Sequence, residues 1–416
     1  MVYTKQVVMA GESRRIVIGV TVDQSFRLLE GFPQFLSREG WDVHLVSSPG
    51  AGLEKFSHES GITTHSLPMV RNPSPLRDLV ALARWVRLLR RIEPDVVSVG
   101  TPKAGLLGSI AGAALRVPNR VYMLRGLRLE TATGVGFAVL RFAEQVAARA
   151  SHRVLAVSTS LRAKAIELNV APASKIVVLG RGSSNGVDIA AFSRARYALS
   201  ELQELSLRLG LKPGVPVIGF VGRMSVDKGL QVLTEARKLL SQRGTAHQLL
   251  VVGGSDTQPS VATKGEDLRS LSTVYTGHVP DPEIYFQVMD VLCLPTFREG
   301  FPNVVLEAGA SGIPTVTTTA TGAIDSVVDG RTGLIARVKS AAALSERLEE
   351  ILTNAEQRER MGRAAFEFVN DHYSREIVWS LTEQFYASMV LNSSPARETR
   401  NDAAFRLGPD RPRSGE

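Results

Sequence analysis

The strongest constraint in this chain is an alternation that runs twice. Short β-rich apolar runs give way to helical patterns and return, first over Ile16–Val22, Asp42–Ser47, Thr63–Leu67, Val96–Gly100, Arg120–Leu124, Arg153–Val157 and Lys175–Leu179. After a polar helical stretch, Ala198–Leu209, and a break at Lys212-Pro213-Gly214, it restarts at Val217–Val221. It goes on through Gln248–Val252, Thr273–Thr276, Val291–Leu294 and Thr315–Thr318. Strands that alternate with helices pair in parallel and need helices on both faces, so each series predicts an α/β unit with a parallel sheet. The first unit is expected over residues 14–195 and the second over 213–373. A last helical pattern, Ser374–Val390, follows, and the polar, aperiodic 392–416 is expected to be disordered. Two open parallel sheets in tandem bind ligands in the crevice beyond the carboxyl ends of their strands.

Composition fits two cores: 44% of the 416 residues are apolar and 22% charged, which excludes collagen, coiled coil and wholesale disorder. A single cysteine, Cys293, excludes an intramolecular disulfide framework or a cysteine-rich metal site, fits a reducing compartment, and reads as a small core residue. No apolar run is long enough to span a bilayer, and residues 1–15 lack the pattern of a signal peptide.

Charge is uneven. Residues 1–195 carry 25 Lys and Arg against 14 Asp and Glu, whereas residues 196–416 carry 24 against 27. The basic first half predicts an anionic partner. One segment concentrates the charge: in Leu76–Ile92, helical spacing puts Leu79, Leu82, Trp85, Val86, Leu88, Leu89 and Ile92 on one face and Arg77, Arg84, Arg87 and Arg91 on the other. Such a helix packs on a sheet with a solvated arginine face, docks on an anionic membrane, or does both. Nucleic acid is not the expected partner, because stacking aromatics and recognised motifs are lacking.

Two constellations carry chemistry. Gly222-Arg223 follows the strand 217–221, and Lys228 is expected at the start of the helix Asp227–Leu240. Two cations beside a helix N-terminus oppose the helix dipole, so an anion is the missing partner, and a guanidinium fork with a mobile ammonium suits a diphosphate. The second is Glu299-Gly300-Phe301-Pro302-Asn303-Val304, with Glu307 about one turn into the following helix. Gly300 permits close backbone approach, and Pro302 suits a helix start. Carboxylates accept hydrogen bonds from hydroxyls while helix N–H groups hold phosphate oxygens; together these describe a sugar nucleotide. The nicotinamide and P-loop fingerprints are missing where they would be needed.

Gly222-Arg223 with Lys228-Gly229, Asn185-Gly186-Val187-Asp188, and the Glu299-x7-Glu307 segment resemble the retaining glycosyltransferases of family 4, over residues 14–390. Thr101-Pro102-Lys103-Ala104-Gly105 and Arg125-Gly126-Leu127-Arg128 look most like the members that build capsular, exopolysaccharide or O-antigen units on lipid carriers. The resemblance implies a GT-B fold: an acceptor-side first domain and a second domain that binds the donor, a nucleotide-diphosphate sugar, with uridine preferred to guanosine. It implies no cofactor and no metal. Arg223 and Lys228 would neutralise the diphosphate, Glu307 would bind ribose hydroxyls and Glu299 donor-sugar hydroxyls, and N–H groups of Phe301–Val304 would complete the pocket. The last helix would cross back to the first domain. Many members carry a histidine after the strand that here ends at Leu124; this chain has Arg125-Gly126 instead, which makes Arg125, Arg128 and Lys103 candidates for acceptor-side phosphate contacts. The expectation is a retaining transfer of a sugar to a lipid-linked saccharide, at the cytoplasmic face of a membrane. An epimerase or phosphorylase of the same architecture, or a non-enzymatic binding subunit, stays open at this point.

Overall fold

The computed structural model describes residues 14–70, 74–254 and 272–393. The expectations for 1–13 and for 394–416 lie outside the described residues. The first sheet holds β1 (Arg14–Gly19), β2 (Trp41–Ser47), β3 (Thr63–Ser66), β4 (Val96–Gly100), β5 (Asn119–Leu124), β6 (Arg153–Ala156) and β7 (Ile176–Val177). Its order is 3-2-1-4-5-6-7. The second holds β8 (Val217–Val221), β9 (Gln248–Val252), β10 (Thr273–Gly277), β11 (Val291–Leu294), β12 (Thr315–Thr318) and β13 (Gly333–Ala336), in the order 10-9-8-11-12-13. The strand pairings within both sheets are parallel.

Helices α1 (Phe32–Arg38), α2 (Ala51–Ser60), α3 (Pro75–Ile92), α4 (Pro102–Ala114), α5 (Gly134–Ala150) and α6 (Thr159–Glu167) interleave with the first set of strands. Helices α7 (Ile189–Phe192) and α8 (Leu199–Arg208) connect the lobes. Then come α9 (Leu230–Gln242), α10 (Glu283–Phe286), α11 (Asn303–Ala310), α12 (Ala341–Thr353), α13 (Ala355–Tyr373) and α14 (Arg375–Ser393).

Alternation in each strand fills two faces. In β1, Ile16 and Ile18 pack under α1 and α14, whereas Val17 packs with Trp85 of α3 on the opposite face. Both sets are buried, so the strand has no polar side, as a covered parallel sheet requires. Helix α4 is rich in Gly and Ala because it is sandwiched: a Cβ at Gly105 would stand 2.4 Å from the Tyr122 ring, and one at Gly108 2.7 Å from Val99.

The lobes are joined by two chain crossings that pair with each other. Val187 N–H donates to the Tyr373 carbonyl at 2.9 Å, and Arg375 N–H donates to the Val187 carbonyl at 3.1 Å. Gly186 has φ +67°, and a Cβ there would lie 2.8 Å from the Tyr373 carbonyl oxygen. The Asn185 amide donates to the Glu30 carbonyl and accepts from the Trp379 indole at 2.8 Å, and the Arg375 guanidinium meets Asp188 at 3.2 Å. The Asn185–Asp188 motif is therefore the clasp of the crossover. Beyond it, α14 lies on the first lobe: Trp379, Phe385 and Tyr386 are buried there, and the Tyr386 hydroxyl meets Ser98 Oγ at 2.8 Å. Burial of side chains this size stabilises by roughly 1.5–3 kcal/mol each.

Several details differ from the sequence reading. The edge strand β13 was not expected. The first strand ends at Gly19 rather than Val22, and the last helix runs to Ser393. In α3 the buried positions are Ala81, Trp85, Leu88, Leu89 and Ile92, so Leu79, placed by periodicity on the inner face, is exposed. Ala81 takes the inner position because helical spacing puts it in line with Trp85, Leu88, Leu89 and Ile92, with Leu79 at the rim of that stripe. Lys228 does not open a helix: it closes a 3-10 turn, Val226–Lys228, and Gly229 in the left-handed region (φ +71°) separates it from α9.

Candidate functional site

The carboxyl ends of β8 and β11 carry the two constellations. Beyond β8, Gly222 N–H donates to the Val252 carbonyl at 2.9 Å, and Gly222 (φ +142°) packs against the glycine turn after β9. A Cβ at Gly253 would stand 2.1 Å from the Gly222 carbonyl oxygen, so only glycine fits that turn. Arg223 is exposed at the mouth of β8. Lys228 reaches across to the β11 loop, where its Nζ meets Glu299 Oε1 at 2.5 Å. The pair is largely sheltered, with side chains 20% and 12% exposed. Beside it Arg298 pairs with Asp227 at 3.0 Å. Burial alone would raise the Asp227 pKa, but the Ser225 hydroxyl, Arg298 and Lys228 outweigh it and hold the carboxyl below its usual value.

The Glu299–Gly300 loop is fixed from both lobes. Glu299 N–H donates to the Thr321 carbonyl at 2.8 Å, and Ser158 Oγ of the first lobe donates to the Gly300 carbonyl at 2.8 Å. Gly300 lies against the Arg125-Gly126 backbone: a Cβ on Gly300 would be 2.0 Å from the Arg125 carbonyl oxygen. Two further latches cross between the lobes. The Thr321 hydroxyl donates to Glu130 at 2.6 Å, and Ser160 bonds Asp325 through its N–H at 3.0 Å and through its hydroxyl.

Helix α11 starts at Asn303 with Pro302 as its N-cap, and no side chain caps it. Asn303 Oδ1 is buried and has no hydrogen-bond partner. Glu307 is half-buried one turn further on. The Phe301 side chain is not a wall of the pocket. It is buried and packs on the Tyr373 ring at 5.3 Å between centroids, so only its backbone is available to a ligand; Val304 likewise packs on the core.

The acceptor-side candidates stand differently from their sequence reading. Arg125 turns its guanidinium into the first lobe, where Nη1 donates to the Leu28 carbonyl at 3.1 Å and to Ser184 Oγ. Burial lowers its pKa to about 10, opposed by the nearby Tyr386. What Arg125 presents to the Glu299–Gly300 loop is its backbone. Lys103 is buried in the first turn of α4 and held by both Asp78 oxygens at 2.7 Å. Arg128 is exposed on the 3-10 turn Arg128–Thr131.

Glu130 was missed. It hangs from that turn at the lobe junction; burial raises its pKa, and its Oε1 is buried without a hydrogen-bond partner. A signal existed: Glu130 and Glu144 are the only acids between residues 101 and 150. Among the described residues, no group of three or more His, Cys, Asp or Glu side chains could hold a metal ion.

Comparisons with known proteins bear on both lobes. A model described as "Glycosyl transferase 4-like domain" matches residues 34–182, and one described as "Glycosyl transferases group 1" matches 215–354. The capsular polysaccharide biosynthesis glycosyltransferase CapM of Staphylococcus aureus is 36% identical over 92% of this chain and 99% of its own length. An Escherichia coli enzyme named UDP-Gal:alpha-D-GlcNAc-diphosphoundecaprenol alpha-1,3-galactosyltransferase is 26% identical over 68% of this chain and 73% of its own. The crystal structure of Anabaena HepE in complex with UDP and glucose superposes with a TM-score of 0.75, at 18% identity, over 90% of this chain and 100% of that one.

Proposed function

The chain belongs to the group 1 and 4-like glycosyl transferases, with the two-lobed GT-B fold, and from that premise we propose that it moves a sugar from a nucleotide-diphosphate sugar to a lipid-linked saccharide, with retention at the anomeric carbon. The observation that carries the proposal is the Lys228–Glu299 pair bridging the β8 and β11 loops, beside exposed Arg223 and the uncapped start of α11. The lobes meet at that loop. In the absence of donor, Lys228 and Glu299 neutralise each other. On donor binding Lys228 turns to the diphosphate, and Glu299 is released to accept from sugar hydroxyls.

Arg223 and Lys228 then act where charge grows. As the glycosidic bond to the donor breaks, the electron pair passes to the β-phosphate oxygen, and cations aimed there stabilise the transition state more than the ground state. Glu307 accepts from the ribose hydroxyls, and the N–H groups at the start of α11 with the Gly222 turn seat the phosphates. The acceptor hydroxyl attacks from the face the phosphate leaves and gives its proton to it, which retains configuration. The two cations supply the countercharge, so the proposed reaction is metal-independent. The name of the S. aureus relative supports capsular or related polysaccharide synthesis, and that of the E. coli relative a uridine donor and an undecaprenyl-diphosphate acceptor. The proposal sets this work at the inner face of the cell membrane. Among the described residues no helix is long and apolar enough to cross a membrane, and the basic α3 supports peripheral attachment.

The test is turnover. Arg223→Ala and Glu307→Ala should each abolish acceptor-dependent nucleotide release while thermal unfolding stays near wild type, since charge-assisted contacts contribute about 1.5–3 kcal/mol apiece. Turnover near wild type in both variants would show that other residues do the work. An epimerase would instead convert the donor with no acceptor present.

A further inference from the structure

Glu299 is held by its backbone as well as by Lys228, and the backbone hold leads into the other lobe. Its N–H donates to the Thr321 carbonyl at 2.8 Å. Thr321 opens the turn that follows β12, and this turn lies close against the Glu299–Gly300 loop. A Cβ on Gly322 (φ +75°) would stand 2.4 Å from the Gly300 carbonyl oxygen and 2.7 Å from that of Glu299. The first lobe grips the same turn repeatedly. Glu130 Oε2 accepts from the Thr321 hydroxyl at 2.6 Å, and Ser160 Oγ accepts from Gly322 N–H at 2.7 Å. Ser160 N–H donates to Asp325 at 3.0 Å.

Of these grips, the one from Glu130 ends on the residue that holds Glu299. Glu130 stands on the 3-10 turn Arg128–Thr131, and Leu127 and Leu129 anchor that turn in the core that runs through both lobes. The turn follows Arg125-Gly126, whose backbone abuts Gly300. One segment of the first lobe therefore meets the Glu299–Gly300 loop twice: by direct contact at Gly300, and through Thr321 at Glu299. A hydroxyl that donates to a carboxylate makes a short, directional bond, and 2.6 Å is the length such a bond has. A side chain that orients a functional group through a hydrogen bond to its holder belongs to the supporting layer that precise sites require.

We propose that Glu130 is a positioning residue for Glu299. Through Thr321 it sets the Glu299 backbone, so the carboxylate assigned to the donor sugar is in place only while the first lobe is seated on the second. Glu130 itself touches no reacting atom. The proposal rests on the role given to Glu299 in donor binding and adds to it a control from the acceptor-side lobe: that lobe fixes the grip on the sugar and leaves the seat of the diphosphate, at Arg223 and Lys228, unchanged.

The test is a double-mutant cycle on the full chain between Glu130→Ala and Thr321→Val, read by turnover at saturating substrate and by calorimetric affinity for UDP. UDP lacks the donor sugar, so its affinity should stay within about twofold of wild type in every variant. Turnover should fall about tenfold or more in each single variant and no further in the double variant, because both break the same link. Glu130→Gln keeps an oxygen that accepts from the Thr321 hydroxyl and should recover a large part of the turnover. Glu130→Asp keeps the charge but withdraws it by one methylene, and should not. The pair lies at the lobe junction, so unfolding temperatures should stay near wild type. Wild-type turnover in Glu130→Ala, or losses that add in the double variant, would overturn the proposal. So would a UDP affinity that falls in step with turnover, since the defect would then lie at the diphosphate. No UDP binding by the wild type would defeat the reading of the donor site itself, and this proposal with it.

Discussion

Replacing Gly300 by alanine tests whether the two lobes must meet at the Glu299–Gly300 loop. The Gly300 backbone is not in the left-handed region, so alanine is not strained by its own dihedral angles. All the resistance comes from the other lobe. The new Cβ would lie 2.0 Å from the Arg125 carbonyl oxygen, 2.5 Å from its carbonyl carbon and 3.1 Å from Gly126 N. These are backbone atoms that cannot rotate aside, and restoring van der Waals contact needs a shift of more than about 1 Å. A misplacement of about 1 Å in the reacting geometry costs on the order of 10²-fold in rate, or about 2.7 kcal/mol of barrier. Besides the cluster that runs through both lobes, each sheet has a core of its own, so the unfolding temperature should stay close to wild type. The assay is acceptor-dependent nucleotide release, with the radius of gyration from solution scattering as a second readout. Gly254→Ala is the control, since a Cβ there would lie 3.5 Å from the His278 side chain, an ordinary contact. A Gly300→Ala variant with wild-type turnover and dimensions would refute the claim that this interlobe contact sets the working geometry.

Two predictions concern buried charge. Lys228→Ala leaves Glu299 sheltered and unpaired, which should destabilise the protein by about 2–4 kcal/mol in denaturant unfolding. Lys228→Met with Glu299→Gln should recover most of that; no recovery would mean the pair is not coupled. Burial pushes the Glu144 carboxyl up to about 7, with the Tyr122 hydroxyl opposing. Its folded form holds a proton more tightly than the unfolded chain does, so this group costs stability as pH rises from the unfolded carboxylate range through 7. Glu144→Gln should therefore leave stability unchanged at pH 5 and raise it at pH 8, by up to about 3 kcal/mol. Equal pH profiles for variant and wild type would contradict the assigned burial.

What the sequence revealed follows the range of each interaction. Val217–Val221 and Val96–Gly100 were legible because a strand buried on both faces has one composition, and that requires no knowledge of its neighbours. The four residues of β13 were too short and too close to Gly330 and Gly333 to stand out. Periodicity gave the α3 helix, but its apolar arc was read too broadly: Ala81 is in line with Trp85, Leu88 and Ile92, whereas Leu79 sits at the rim and is exposed. The composition of the candidate site was visible as residue types at strand ends. Its wiring was not: Lys228 and Glu299 are 71 positions apart, and nothing local says that each is the other's partner. Arg125 shows the same limit, because the Leu28 carbonyl and Ser184 that claim its guanidinium come from distant segments. Glu130 was readable as an isolated acid in a basic stretch, but its role as a latch depends on Thr321, which belongs to the other lobe.

The most direct measurement is calorimetric titration of UDP into the wild type, Arg223→Ala and Lys228→Ala. The account predicts saturable, one-to-one binding to the wild type without added metal, and at least about tenfold weaker binding in each variant. Equal affinity in all three, or no affinity for UDP or any other nucleoside diphosphate in the wild type, would contradict it.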